Sequence, residues 1–173
     1  MVEIRPLTEA DIDTVAALHV RTWQAGYAGI VPAEVLDALD PATFAERRRT
    51  RPAPAGAQTL VATERGLIVG FASFGRYRLK PDDEDDPAAG ELYAIYVDPD
   101  HWGGGTGRAL LSRAKAELAA AGFAEMRLWV LTGNDRGRRF YDRAGLEPDG
   151  ARQVYTPRGS MAELPELRYA TRL

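Results

Sequence analysis

The chain contains no cysteine, which excludes disulfides, thiolate metal sites and covalent catalysis through a thiolate. Only His19 and His101 offer imidazoles, so no metal site is expected. No apolar run approaches membrane-spanning length, and the opening MVEIRPLTEADI lacks an apolar signal core. A cytoplasmic protein without a membrane partner is the expectation. There is no surplus of positive charge either. A formal net charge of −3 argues against a general nucleic-acid binder, which would usually be basic. Internal repeats are absent as well. What remains is ordinary for a globular protein: 173 residues, 45% hydrophobic and 27% charged. That length predicts one domain, 1–173, with a single sizeable core.

The most informative stretch is ELYAIYVDPDHWGGGTGRALL, running from Glu91 to Leu111. Leu92 to Val97 are apolar, aromatic or β-branched with Ala94 among them, which predicts a largely buried strand. Asp98-Pro99-Asp100 ends it, since proline cannot continue a ladder and Asp favours turns. Gly103, Gly104, Gly105 and Gly107 follow, with Thr106 among them. Leu110, Leu111, Ala114, Leu118 and Ala121 then recur at helical spacing up to Gly122. A strand, a glycine turn and a helix N-terminus together suit an anion. Unhindered amides point outward, and the helix dipole favours phosphate. A Walker loop would need Gly-Lys-Ser/Thr, but Arg108-Ala109 follows Gly107; no frame supplies G-x-G-x-x-G. From the residues alone, the prediction is an α/β domain with a phosphate site.

Val97-Asp98-Pro99 followed by Trp102-Gly103-Gly104-Gly105-Thr106-Gly107-Arg108 resembles the pyrophosphate loop of the GNAT superfamily of N-acetyltransferases. That loop reads V-x-P, then Gln/Arg-x-x-Gly-x-Gly/Ala opening a helix. Trp102 departs from the pattern by standing at the Gln/Arg position. A second resemblance lies in GNDRGRRFYDRAGL, where a strand at 124–131 is followed by Asn134, a helix carrying Phe140-Tyr141, and Gly145-Leu146. By periodicity Gly137, Phe140, Tyr141 and Ala144 share one helical face, which makes Tyr141 a core residue. The family pattern makes it a catalytic one. Gly137 replaces a common alanine, at about 1 kcal/mol of helix propensity.

The flanks are read from pattern. A strand is expected over 2–7 and a helix from Ile12 to about Gly26, with Thr8 and Asp11 forming a variant capping box. His19 on that helix is either a base or, more in keeping with a lone histidine on a helix face, a packing residue. Trp23, Tyr27, Ile30 and Val31 lead to a short helix from Pro32 to Leu39. Asp40-Pro41 begins another, ending in the arginines 47, 48, 49 and 51. Those suit a solvated face or a coenzyme phosphate. Strands at 58–63 and 67–77 flank the hairpin signal Glu64-Arg65-Gly66. Asp82 to Asp86 form an acidic run expected to be a solubilising tip or a lure for cationic amines. Two strands close the chain, at about 152–156 and 166–173.

The resemblance implies a mixed α/β (α+β) fold whose strongly twisted central sheet is splayed to admit acetyl-CoA. It implies acetyl transfer to a primary amine by direct attack, with acetyl-CoA as co-substrate and no metal. Coenzyme contacts would come from Ile95, Tyr96, Val97, Trp102, Gly103, Gly104, Gly105, Thr106, Gly107, Arg108 and Asn134. A β-bulge near Tyr96 or Val97 would free an N–H for the thioester oxygen. Tyr141 would be the general acid and Glu91 the general base through a water; the competing reading is that Glu91 simply sits at the exposed start of the strand, paired there with an arginine. Trp23, Tyr27 and Tyr93 would line the acceptor site, for a small-molecule amine or a protein N-terminus. A homodimer is left open. A catalytically silent acyl-CoA-binding module is the competing reading; it would need neither Glu91 nor Tyr141.

Overall fold

The computed structural model describes residues 2–51, 53–79 and 86–173. Of the acidic run only Asp86 lies among them. Seven strands occur in chain order: β1 Glu3–Pro6, β2 Gln58–Glu64, β3 Leu67–Arg76, β4 Ala89–Val97, β5 Glu125–Leu131, β6 Glu147–Tyr155 and β7 Leu164–Arg172. The helices are α1 Ile12–Gly26, α2 Ala33–Asp37, α3 Pro41–Thr50, α4 Thr106–Ala120 and α5 Asp135–Arg143. One sheet holds all seven strands in the order β1-β2-β3-β4-β5-β7-β6. Only β4 and β5 run parallel.

Local chemistry sets the element ends. Asp11 closes the capping box with Thr8 and also takes two bonds from Arg5, at 2.6 and 2.9 Å, so β1 is tied to the start of α1. Asp40 caps α3 through the amides of Ala42 and Thr43, with Pro41 at the first helical position. The β2–β3 hairpin turns on two residues instead of three. Arg65 (φ 52°) and Gly66 (φ 80°) both adopt the left-handed conformation that a two-residue turn matching the strand twist demands. The sixth strand begins at Glu147 and so starts earlier than its mostly exposed, weakly patterned residues suggest.

Helices cover both faces of the sheet. On one, Leu110, Leu111, Ala114 and Leu118 of α4 pack on Leu92, with Ile95 and Val97 beside them. On the other, Val15 and Leu18 of α1 pack on Val61 and Phe71, joined by Ala94 and Tyr96. Leu92 and Ile95 therefore share a face although they are three residues apart, which strict alternation forbids. The register explains it. Ser73 pairs with Ala94 and Phe74 with Leu92, so Tyr93 is the extra residue of a β-bulge. Its ring reaches across β3, its hydroxyl donates to the Arg76 carbonyl at 2.6 Å, and it occupies the space a side chain at Gly75 would need. One expectation changes as a result: the bulge is not at Tyr96 or Val97, where pairing with β3 is regular. Glu91, opposite in face to its neighbour Leu92, lies on the side of Ala94 and Tyr96.

Candidate active site

The parallel pair β4–β5 is hydrogen-bonded only where residues 89–91 meet 125–127. Beyond that the strands part, and the gap between them is lined by both, forming a cleft of about 1280 Å³. Parity along β4 follows from one bond. The Asp98 N–H donates to Val69 of β3, so Tyr96 and Ala94 also face β3, while the N–H groups of Ile95 and Val97 face the gap. The donors expected from a bulge are thus freed by the splay itself. A straight pair of unpaired strand edges is also what an extended amide-bearing arm can join.

At one end of the cleft stands the glycine turn. Gly103 (φ 81°) and Gly105 (φ 88°) are left-handed, with open space where a Cβ would project. Both conformation and access therefore favour glycine there. Gly107 lies inside α4, where a Cβ would meet the Phe140 ring at 3.4 Å, an ordinary packing distance. Trp102 does not reach outward either, because its indole N–H donates to the Val97 carbonyl at 2.7 Å. Asn134 caps α5 by accepting from the Gly137 amide at 2.9 Å. A Cβ at Gly137 would stand 2.5 Å from Asn134 Nδ2, which accounts for glycine where helix propensity favours alanine.

The rest of the lining is aromatic and acidic, with Trp23, Tyr27, Tyr93 and Glu91 all contributing. Glu91 is only 2% exposed. Its Oε2 accepts from the Arg78 backbone N–H (2.9 Å) and Nε (3.2 Å), and its Oε1 from Nη2 (2.7 Å). The guanidinium lies 4.5 Å from the Tyr93 ring centre. Burial, then the Glu91 charge, pushes the Tyr93 phenol up to about 12. Tyr141 also lines the cleft, and burial, with Tyr96 adding to it, raises its phenol well above the ordinary value. Tyr27 is raised by burial as well, with Tyr96 adding to it.

The sequence reading missed Arg78, Trp129, Gln153, Tyr155 and Glu166, which complete the chamber. Gln153 Nε2 bonds Glu166 at 2.5 Å between neighbouring strands. Gln153 and Tyr155 lie on the alternating part of β6, and such alternation does not distinguish a cleft from solvent. His19 stacks 4.7 Å from the Tyr96 ring and edge-on to Phe44. Both its nitrogens are buried without a hydrogen-bond partner; burial, with Arg48 adding to it, pushes its pKa down to about 3. It packs as a neutral ring. Of the arginines after Phe44, Arg48 lies over Phe71 and Arg49 pairs with Asp13, away from the glycine turn. Among the described residues no group of three or more His, Asp or Glu side chains could hold a metal, and no helix is long and apolar enough to cross a membrane.

The sheet is opened between two parallel strands, with a glycine turn and the start of α4 beside the opening, in a mixed α/β fold. The acetyltransferase (GNAT) family model matches residues 17–146, and the chain belongs to that family and is an N-acetyltransferase of it. It is 34% identical over 134 residues to the uncharacterized N-acetyltransferase YuaI of Bacillus subtilis, covering 78% of this chain and 74% of that one. Its fold matches the PaiA N-acetyltransferase of Thermoplasma acidophilum, solved with coenzyme A. The TM-score is 0.74 at 20% identity, over 100% of this chain and 99% of that one. YncA of Salmonella typhimurium, solved with acetyl-CoA, matches with TM-score 0.68 at 24% identity, over 99% and 94% of the two chains.

The buried imidazole has a consequence for acid stability. The unfolded chain takes up a proton near pH 6.5, whereas folded His19 resists protonation down to about pH 3. Stability is therefore intact above pH 6.5 and lost as pH falls below it. Urea melts should show wild type losing on the order of 2 kcal/mol more than His19→Leu between pH 7 and 4. Parallel losses in the two proteins would contradict a neutral His19.

Proposed function

We propose that the chain moves an acetyl group from acetyl-CoA to the primary amine of a small molecule or peptide by direct attack. The observation that carries this reading is the parting of β4 from β5. It leaves the Ile95 and Val97 amides between an anion-binding turn and an aromatic chamber that bears carboxylates. The turn from Gly103 to Gly107, the α4 N-terminus and Arg108 suit the coenzyme's phosphates. The edge of β4 suits its amide-bearing arm, and the Val97 N–H suits the carbonyl oxygen on which charge develops. Asn134 acts by setting the first turn of α5, and so the place of Tyr141.

In the transfer, the amine nitrogen bonds to the acetyl carbon and the carbon–sulfur bond breaks. The ammonium proton must leave first, and the departing thiolate must gain one. Tyr141 is the donor to sulfur. Its raised pKa keeps the phenol protonated throughout the neutral range, and a thiolate formed in the same desolvated place is a stronger base than in water. Glu91 is the acceptor for the amine's proton, through a water. Arg78 occupies two lone-pair positions on Oε2 and one on Oε1, leaving Oε1 one further position. Trp23, Tyr27 and Tyr93 hold the acceptor's body.

Tyr141→Phe keeps the ring and its packing and removes only the proton. In an assay with a thiol-detecting dye it should lower kcat about 10²-fold or more while calorimetry shows coenzyme binding kept. Wild-type turnover would return Tyr141 to a packing role. For Glu91→Gln, kcat/KM should fall most near neutrality, and the loss should shrink toward high pH, where more of the amine is already deprotonated. Identical profiles for mutant and wild type over roughly pH 6–9, a range spanning shifted carboxylates and amines, would remove Glu91 from proton transfer.

A further inference from the structure

Position 102 is where the family motif carries a glutamine or arginine, and here its one polar atom is already committed to the Val97 carbonyl. A cation nevertheless stands beside it. Arg136, the second residue of α5, places its guanidinium carbon 3.3 Å from the centre of the Trp102 ring, the distance of a face-to-face stack. Arg136 is exposed and lines the same cleft as the glycine turn. Arg138 on the same helix behaves otherwise: it turns back to the Thr132 carbonyl and toward Asp135. Arg136 has no ion pair with an acid among the described residues. Neither have Arg108, Arg139 and Arg143, which line the cleft with it.

From these contacts we propose that Arg136, held flat on Trp102, is a phosphate-binding residue for the coenzyme, delivered from α5 to the edge of the Gly103–Gly107 turn. This rests on reading that turn as the phosphate site. Stacking matters physically because an exposed arginine loses rotamer entropy of up to about 2 kcal/mol when fixed. The indole fixes it in advance and leaves the in-plane N–H edge free for two parallel bonds to phosphate oxygens. Partial desolvation against the ring and the nearby Arg139 charge both disfavour the charge of Arg136, and a bound anion offsets them. The missing polar side chain at position 102 is thus replaced by a two-residue device, a platform on the loop and a cation on the next helix.

Calorimetry on the full chain with CoA and with 3′-dephospho-CoA tests this, using Arg136→Ala, Trp102→Ala, the double variant and Gly105→Val, each checked for folding by thermal melts. Arg136→Ala should weaken CoA about tenfold, or about 1.4 kcal/mol. Trp102→Ala should cost a similar factor, and the double variant should be within about twofold of the weaker single one, because platform and cation act as a unit. An equal loss with dephospho-CoA assigns Arg136 to the pyrophosphate, and a loss seen with CoA alone assigns it to the 3′-phosphate. If Trp102→Ala does not fold, Trp102→Phe keeps a platform, and Arg136→Ala in that background should still cost about tenfold. Wild-type affinity of Arg136→Ala for CoA at both low and physiological salt overturns the proposal. Gly105→Val separates the two readings: its failure to weaken binding counts against the turn, whatever Arg136 does.

Discussion

The separation of two parallel strands after three residue pairs is the constraint on which the site depends. Parallel neighbours ordinarily stay paired along their length, and leaving an edge unpaired inside a sheet strands backbone donors. Here β4 keeps its other edge paired with β3 from Gly90 to Val97, apart from the bulged Tyr93, and β5 is paired along its whole length with β7. Each half of the sheet is therefore self-sufficient, and only the seam between them is open. The helices follow the same division. The core of α4 lies under β3 and β4, while α5 packs Tyr141 toward Tyr169 of β7. Gly107 of α4 lies close to Phe140 of α5.

The bulge at Tyr93 does a different job. By inserting one residue it turns Glu91 onto the face of Tyr96, where the aromatic chamber is, while letting Ile95 and Val97 stay on the α4 face and in the core. An unbulged strand would have to choose between burying Val97 under α4 and presenting Glu91 to the chamber. Arg78 then makes the buried carboxylate tolerable, since an unpaired charge at 2% exposure would be costly. The cleft lining so carries both signs: Arg108, Arg136, Arg139 and Arg143 have no acidic partner among the described residues, and Glu91 and Glu166 supply carboxylates.

What was legible in the sequence was whatever depends on local spacing. The run from Glu91 to Leu111 shows its strand, turn and helix because each is signalled within a few residues. The caps at Asp11 and Asp40 were legible for the same reason. Glu91 could be picked out because a carboxylate at the start of an apolar strand is unusual, and its pairing with an arginine was an open option. Which arginine was not visible, because Arg78 lies 13 residues away in sequence. The bulge was misplaced because an inserted residue in an unbroken apolar run leaves no trace in the alternation. The Trp102–Arg136 stack was hidden as the Arg78 pairing was. Position 102 looked like a loss when only its own side chain was considered.

The central claim is that the parted edge of β4 receives the coenzyme. Backbone amide hydrogen exchange resolved by NMR reads it directly. With saturating CoA, the Ile95 and Val97 amides should exchange at least about tenfold more slowly than in the free protein, while Ala94 and Tyr96, already bonded to β3, change little. Unchanged exchange at Ile95 and Val97, with protection arising only elsewhere in the sheet, would contradict the account.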